Sequence, residues 1–326
     1  MTDESCGSSS GGDLNEDRSR RALRHDQQWS EETIMTINSV GVIGLGIMGG
    51  PMAHNMAAAG WQVFGWARRF QVAQAVEGIV PVPSARELAS CDVLVSVLPD
   101  LPHLEGVLAD GLLDAIDHPV TLVVCSTSSP SGVRALAERL ASRQVSVVDA
   151  PVSGGETKAI DGTLAIMVGG ADADVARVLP VLQACGKPVH LGPLGSGEVA
   201  KACNQMIVSA TTTALVEAAV LAERSGLDVA ELFALLSTGL AASEVLTQKA
   251  AKLVAHDHAV SGPAKFFIKD LGFTLDQAET VGVHLHLTEL MRKTWTDMTE
   301  AGYGDLDTTA LQAYVEDLAE SDAPSA

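Results

Sequence analysis

Lys201, Asn204 and Gln205 stand at i, i+3 and i+4 of an alanine-rich stretch, Ser196–Arg224, that predicts one long helix, so the three side chains share a face. An amine flanked by two amides is equipped to pass a proton to or from an oxygen that the amides hold in place. Ala200, Cys203, Met206, Ile207 and Ala210 occupy the other faces and predict a largely buried helix. A charged lysine is costly there, and burial must draw its pKa from about 10.4 towards neutrality for efficient acid–base exchange. A lysine snorkelling from the helix start is the alternative. A second chemical stretch is Ser153-Gly154-Gly155, one hydroxyl and closely approachable N–H groups just before a short helix over 156–160. That combination is a natural seat for a carboxylate, with a plain turn as the alternative. A third is Gly44-Leu45-Gly46-Ile47-Met48-Gly49. Here Gly44 serves a tight turn, Gly46 lets backbone approach a pyrophosphate, and Gly49 allows a helix and a strand to pack closely.

The elements needed to position these residues follow from the flanking pattern. The apolar run Val40-Gly41-Val42-Ile43 enters the glycines and 51–59 reads as the helix that leaves them, so two phosphates would meet free N–H groups at a helix N-terminus. A second strand is expected over 61–66, with others over 93–98, 121–124, 145–148 and 164–168 and helical patterns between them, for example over 131–141. Short apolar strands alternating with helices predict an α/β, Rossmann-type doubly wound sheet, mainly parallel and covered on both faces. Ligands of such sheets bind beyond the carboxyl ends of the strands, where Leu98, Pro99, Ser126, Thr127 and the stretch 149–155 fall. From Ser196 onward the composition turns helical, with further helices over 229–237, 242–256, 268–280, 287–301 and 308–318. Three parts are therefore expected: a disordered extension over 1–37, a dinucleotide-binding domain over 38–195 and an all-α domain over 196–326.

The end of the second strand bears on cofactor choice. An NAD-preferring site usually carries Asp or Glu about 20 residues beyond the glycines, whereas this chain has Ala67-Arg68-Arg69. With no carboxylate to repel a 2′-phosphate and two guanidiniums to hold it, NADP(H) is the preferred cofactor and NAD(H) the second choice, unless the turn is simply solvated.

Composition excludes several classes. A formal charge of −20 repels nucleic acid and acidic membrane surfaces. The five cysteines form no C-x-x-C pair, and the basic cluster over 18–24 lacks the apolar stretch of a signal peptide, so a reducing, cytoplasmic setting is expected. No run is read as approaching the length of a membrane span. Residues 1–37 offer little to bury, and Met35 is a candidate natural start. His256-Asp257-His258 and His284-Leu285-His286 place histidines at i and i+2, which diverge on a helix and lack a clear third ligand, so no metal site is expected. Met291 and Trp295 read as helix packing. The alanine-rich helices carry more apolar surface than a domain of their size buries alone, which predicts a homodimer or homotetramer built on 196–326.

Taken together these stretches resemble the β-hydroxyacid dehydrogenase family. The glycine loop with Pro51-Met52-Ala53-His54-Asn55 is similar to its cofactor signature, Asp149-Ala150-Pro151-Val152-Ser153-Gly154-Gly155 to its substrate signature, and 195–205 to its catalytic segment. Ile268-Lys269-Asp270-Leu271 resembles its late cofactor-contacting lysine motif. The resemblance covers residue 40 to the C-terminus. It implies a cleft between a Rossmann domain and a helical domain, a nicotinamide cofactor contacted by Lys269, and Lys201 donating a proton to a carbonyl oxygen. Ser153, Gly154 and Gly155 would then hold a carboxylate, and Asn204 and Gln205 would orient the hydroxyl. Residues 149–170 and 239–243 are most similar to members that reduce tartronate semialdehyde to glycerate, while 301–305 resembles sugar-acid relatives of the threonate type. Oxidation of 3-hydroxyisobutyrate is the main alternative activity. A non-catalytic scaffold has no need of Lys201 beside two amides, and imine-reducing relatives usually replace the lysine.

Overall fold

In the computed structural model residues 37–321 are described, and the extension read over 1–37 lies outside them except for Ile37. Strand β1 (Ser39–Ile43) is buried along its length and ends in the glycine loop, from which α1 (Gly49–Ala58) departs. There follow β2 (Gln62–Trp66), α2 (Phe70–Gln74), β3 (Val80–Pro81), β4 (Val93–Ser96), α3 (Leu101–Val107), β5 (Val120–Val124), α4 (Pro130–Leu140) and β6 (Val145–Asp149). After them come β7 (Val152–Ser153), α5 (Gly155–Ile160), β8 (Leu164–Gly169), α6 (Asp172–Gln183) and β9 (Gly186–Gly192). The strands form one sheet in the order β3-β2-β1-β4-β5-β6-β8-β7, with β9 paired to β8. Pairing is parallel from β3 through β6 and between β8 and β9, and antiparallel where β8 meets β6 and β7. The order reverses at β1, which lies between β2 and β4, and that is where a doubly wound sheet opens a crevice for ligands.

Period-two alternation accounts for the sheet's two covered faces. Val40, Val42, Val93, Val95, Val123 and Val148 pack with Met52, Met56 and Val178 on one side. Ile43, Leu94, Leu122, Val124 and Val147 pack with Leu104, Val133 and Leu136 on the other. β4 stops at Ser96, short of the expected 98, because both neighbours end there: Ser96 pairs with Ile43, the last residue of β1, and with Val124, the last of β5. β7 is too short to show a period. β9 is a largely exposed edge strand carrying Gly186, Pro188 and Gly192, which local sequence rules read as turn.

Apart from one isolated bridge between Pro263 and Asp307, the described elements beyond β9 are helical. They are α7 (Ser196–Arg224), α8 (Val229–Leu236), α9 (Glu244–Val254), α10 (Phe266–Thr280), α11 (His286–Met298) and α12 (Leu311–Ser321), each within about three residues of expectation. Their core centres on Leu215, Val216, Phe267, Met291, Leu311 and the fully buried Trp295, whose Nε1 donates to Ser209 Oγ at 2.7 Å. Met291 and Trp295 are thus packing residues.

Two expectations about α7 need correction. Cys203 is exposed and Ile207 is 61% exposed, so the helix is not buried all round; apolar composition alone does not separate a core face from an uncovered one. It is also long and apolar enough, by length and composition, to cross a membrane, contrary to the reading that no run approaches that length. Its buried side, however, carries Glu198 and Lys201 against the sheet half and Leu215, Val216 and Ala219 in the helical core, which is how the central helix of a packed domain behaves.

Candidate active site

The glycine loop has the geometry its spacing predicts. Gly44 has a φ of 96°, in the region L side chains rarely adopt, and its N–H donates to Trp66 O at 2.9 Å. A Cβ on Gly49 would come within 2.0 Å of Gly44 O, whereas one on Gly46 would meet nothing within 4 Å. Gly49 is therefore demanded by packing, and Gly46 borders open space. Leu45 is buried, Met48 half-buried and Ile47 exposed. Arg68 and Arg69 are exposed at the end of β2, and neither guanidinium makes a hydrogen bond or ion pair with the described residues. An open glycine turn at the sheet's switch point fits a dinucleotide.

One side chain of the helical half ties the loops after β4 and β5 to each other. Lys269 on α10 donates from Nζ to Pro99 O at 3.0 Å and to Thr127 O at 3.1 Å. Leu98 is half-buried under the glycine turn, 2.8 Å from where a Gly44 Cβ would stand, and Ser126 is buried with no partner for its Oγ.

Lys201 is buried, 7% exposed, one turn into α7. Its Nζ donates to Val152 O at 2.9 Å, the carbonyl immediately before Ser153, which leaves its other protons free. Burial lowers its pKa, while Asp270 and Glu198 raise it and Lys269 lowers it further. The direction is the one general acid–base work requires. Ser153 Oγ donates to Asn204 Oδ1 at 3.3 Å, Asn204 Nδ2 to Gln205 Oε1 at 3.0 Å, and Gln205 Nε2 to Asp270 Oδ2 at 2.6 Å. Lys201 and Asn204 thus come together at the serine–glycine stretch, whereas Gln205 turns away and anchors Asn204 to α10. Gly154 and Gly155 have φ values of 141° and 74°, so side chains at either position would be strained, and Gly155 is exposed.

Three buried acids carry this arrangement and were not singled out from the sequence. Asp149, at the end of β6, accepts N–H groups from Gly195 at 2.7 Å and Glu198 at 2.8 Å and so caps α7 from a distance; burial nevertheless raises its pKa. Glu198 Oε2 accepts from Ser128 N at 3.0 Å, and its Oε1 has no partner. Burial drives its pKa well above the ordinary value, with Asp149 adding to the rise against Ser128, Lys201 and Lys269. Asp270 is likewise raised, by burial first, against Lys269 and Lys201. For Glu198 and Asp270, an acid near a lysine inside an otherwise apolar helix was the available signal.

Of the histidine pairs, His256 does gain neighbours: Glu223 Oε1 lies 2.9 Å from its Nε2 and Glu316 Oε1 3.7 Å from its Nδ1. One ligand atom from each of Glu223, His256 and Glu316 lies within 4.8 Å of the others, so the expectation that no third ligand stands near this histidine is corrected: the three side chains form a group that could hold a metal ion.

Comparison with known proteins agrees with this geometry. Residues 39–195 match the NAD binding domain of 6-phosphogluconate dehydrogenase, and residues 195–315 match the family described as NAD-binding of NADP-dependent 3-hydroxyisobutyrate dehydrogenase. The chain is 33% identical over 285 residues to 2-hydroxy-3-oxopropionate reductase of Escherichia coli, covering 86% of this chain and 98% of that protein. It is 32% identical over 281 residues to L-threonate dehydrogenase of Cupriavidus necator, covering 84% and 94%. The crystal structure of 3-hydroxyisobutyrate dehydrogenase from Salmonella typhimurium superposes with a TM-score of 0.79 at 28% identity, over 85% of this chain and 99% of that one. The chain belongs to the β-hydroxyacid dehydrogenase family, whose members are NAD(P)-dependent oxidoreductases of small hydroxy acids.

Proposed function

We propose that the protein is an NADP-preferring reductase of small hydroxy-acid semialdehydes, with tartronate semialdehyde reduced to glycerate as the leading reaction. The observation that carries this is the buried Lys201 amine bound to the carbonyl next to Ser153, its pKa lowered by burial. A bound nicotinamide cofactor supplies the hydride. Ser153 and the N–H groups of Gly154 and Gly155 hold the carboxylate. Lys201 gives a proton to the carbonyl oxygen as it becomes a hydroxyl, and takes it back in oxidation. Asn204 orients that oxygen, and Gln205 acts through Asn204.

The preference for NADP rests on Arg68 and Arg69, exposed and unpaired. Charge-assisted hydrogen bonds contribute roughly 1.5–3 kcal/mol, so the Arg68→Ala, Arg69→Ala double variant is expected to weaken NADPH about ten- to a hundredfold and leave NADH nearly unchanged. Equal losses, or a parent protein preferring NADH, would reverse the assignment. Steady-state rates with tartronate semialdehyde, methylmalonate semialdehyde and threonate, each with both cofactors, test the reaction itself. Assembly into at least a dimer is supported by Ile207 and Leu221 on α7, 61% and 70% exposed, and by the exposed Leu287 and Leu290 on α11. A monomeric mass in light scattering at micromolar concentration opposes it.

A further inference from the structure

A third layer of polar groups lies over the serine–glycine stretch, contributed by α9. Gln248 Nε2 donates to Glu244 Oε1 at 3.0 Å and, more weakly, to Gly154 O at 3.4 Å. Glu244 Oε1 in turn lies 3.3 Å from Lys158 Nζ on α5. The Lys158 stem packs on Gly154, where an added Cβ would come within 2.7 Å of Lys158 Cβ. The hydrogen bond from Gln248, followed by that from Lys158, holds Glu244 below the ordinary carboxylate range. These acceptors fix which end of the Gln248 amide is nitrogen. Its Oε1 then points the other way, 3.9 Å from where a Gly155 Cβ would stand, and accepts no hydrogen bond among the described residues.

We infer that Gln248 is a specificity-determining residue, accepting a hydrogen bond from a hydroxyl on the carbon next to the substrate carboxylate and so selecting 2-hydroxylated short acids over 2-methyl ones. The inference rests on the reading of Ser153, Gly154 and Gly155 as the carboxylate seat. A carboxylate brings no donor for an amide oxygen beside that seat, so the donor must come from the adjoining carbon. Gln248 is exposed, so water serves its Oε1, and a bound methyl group there would displace that water without supplying a donor, which disfavours binding. An ammonium group is also a donor, with the Lys158 amine opposing it and the Glu244 carboxylate favouring it, so serine is included in the test.

Four 3-hydroxy acids on a three-carbon backbone that differ only at carbon 2 separate these cases: 3-hydroxypropionate with hydrogen, 3-hydroxyisobutyrate with methyl, glycerate with hydroxyl and serine with ammonium. We expect kcat/KM for glycerate to exceed that for 3-hydroxyisobutyrate about tenfold or more in the parent protein. Gln248→Leu and the more nearly isosteric Gln248→Met should each lose about that factor on glycerate relative to the other three acids, with the NADPH dissociation constant unchanged. An equal loss on all four acids, a parent preference for serine or 3-hydroxyisobutyrate, or an unchanged glycerate preference in both variants overturns the role of Gln248 and leaves the proposed reaction standing. Turnover of none of the four, with NADPH still bound, overturns the reading of the site and the inference with it.

Discussion

Asp307 and Glu198 are both carboxylates withdrawn from water beside lysines, one in the helical half and one beneath the cleft, and they are treated in opposite ways. Asp307 accepts from Lys249 Nζ at 2.7 Å, from Ser261 N at 3.0 Å and Oγ at 2.5 Å, and from Thr309 N at 3.1 Å, with Lys252 Nζ at 3.9 Å. Burial pushes its pKa up, but the hydrogen bonds from Lys249 and Ser261 overcome this and hold it well below the ordinary range. Glu198 has one donor, an unpartnered oxygen, a neighbouring acid and a pKa driven up. A satisfied charge holds one protonation state and acts as a fastener. An under-satisfied one, next to a lysine whose pKa is pushed down, belongs to a site where protons move.

The largest effect expected from this contrast is at Lys201. Lys201→Ala should lower kcat by a factor on the order of 100 or more while cofactor binding is kept. Its melting temperature should be unchanged or higher, since a buried amine that burial already disfavours is removed. Retained turnover, measured in the steady state, would reject both the catalytic role and the contrast.

At Asp307 the outcome reverses. Asp307→Asn should cost about 2–3 kcal/mol, below the usual figure for breaking a buried pair because Lys249 remains partly exposed to water. Melting curves should show the loss, and kcat/KM below the melting range should not change. Because the folded pKa lies below the unfolded one, this stabilisation is present above the ordinary carboxylate value and is lost as pH falls through the lower folded value. The gap in melting temperature between parent and variant should therefore be full at pH 7 and close on acidification below about 4. A gap independent of pH would show that shape, not charge, holds the fastener.

The contrast was only half legible in the sequence. The glycine turn could be read because Gly44 and Gly49 answer to local needs, a positive φ and a close helix–strand approach, and Lys201 because a charge inside an alanine-rich helix is conspicuous. Long apolar strands were legible for the same reason of period. Asp149, Glu198 and Asp270 were not, because each is defined by a partner far along the chain: Asp149 by the N–H of Gly195, Glu198 by that of Ser128, Asp270 by Gln205. Gln205 looked like a second active-site amide by spacing alone, and its bond to Asp270 shows it bracing Asn204. The exposed side of α7 was misread because alanine, cysteine and isoleucine look the same in sequence whether or not something covers them.

The smallest and most discriminating change is Glu198→Gln. Glutamine keeps an oxygen to accept from Ser128 N but cannot ionise, so it separates the anchoring of the Ser126–Ser128 turn from the charge. Glu198 has a folded pKa above its unfolded one, so its favourable contribution is present below the unfolded value and is lost as pH rises through the folded value. The variant should therefore gain in melting temperature on the parent as pH rises above the ordinary carboxylate range. In the parent, ionised Glu198 is one of the groups that raise the pKa of Lys201. Without it, the alkaline fall of reductive kcat, which follows loss of the lysine proton, should move to lower pH. Rates at acid pH, where Glu198 is already neutral, should coincide. A constant drop in melting temperature with an unmoved pH profile would mean that Glu198 is a fastener like Asp307, and that the two carboxylates differ only in how completely they are paired.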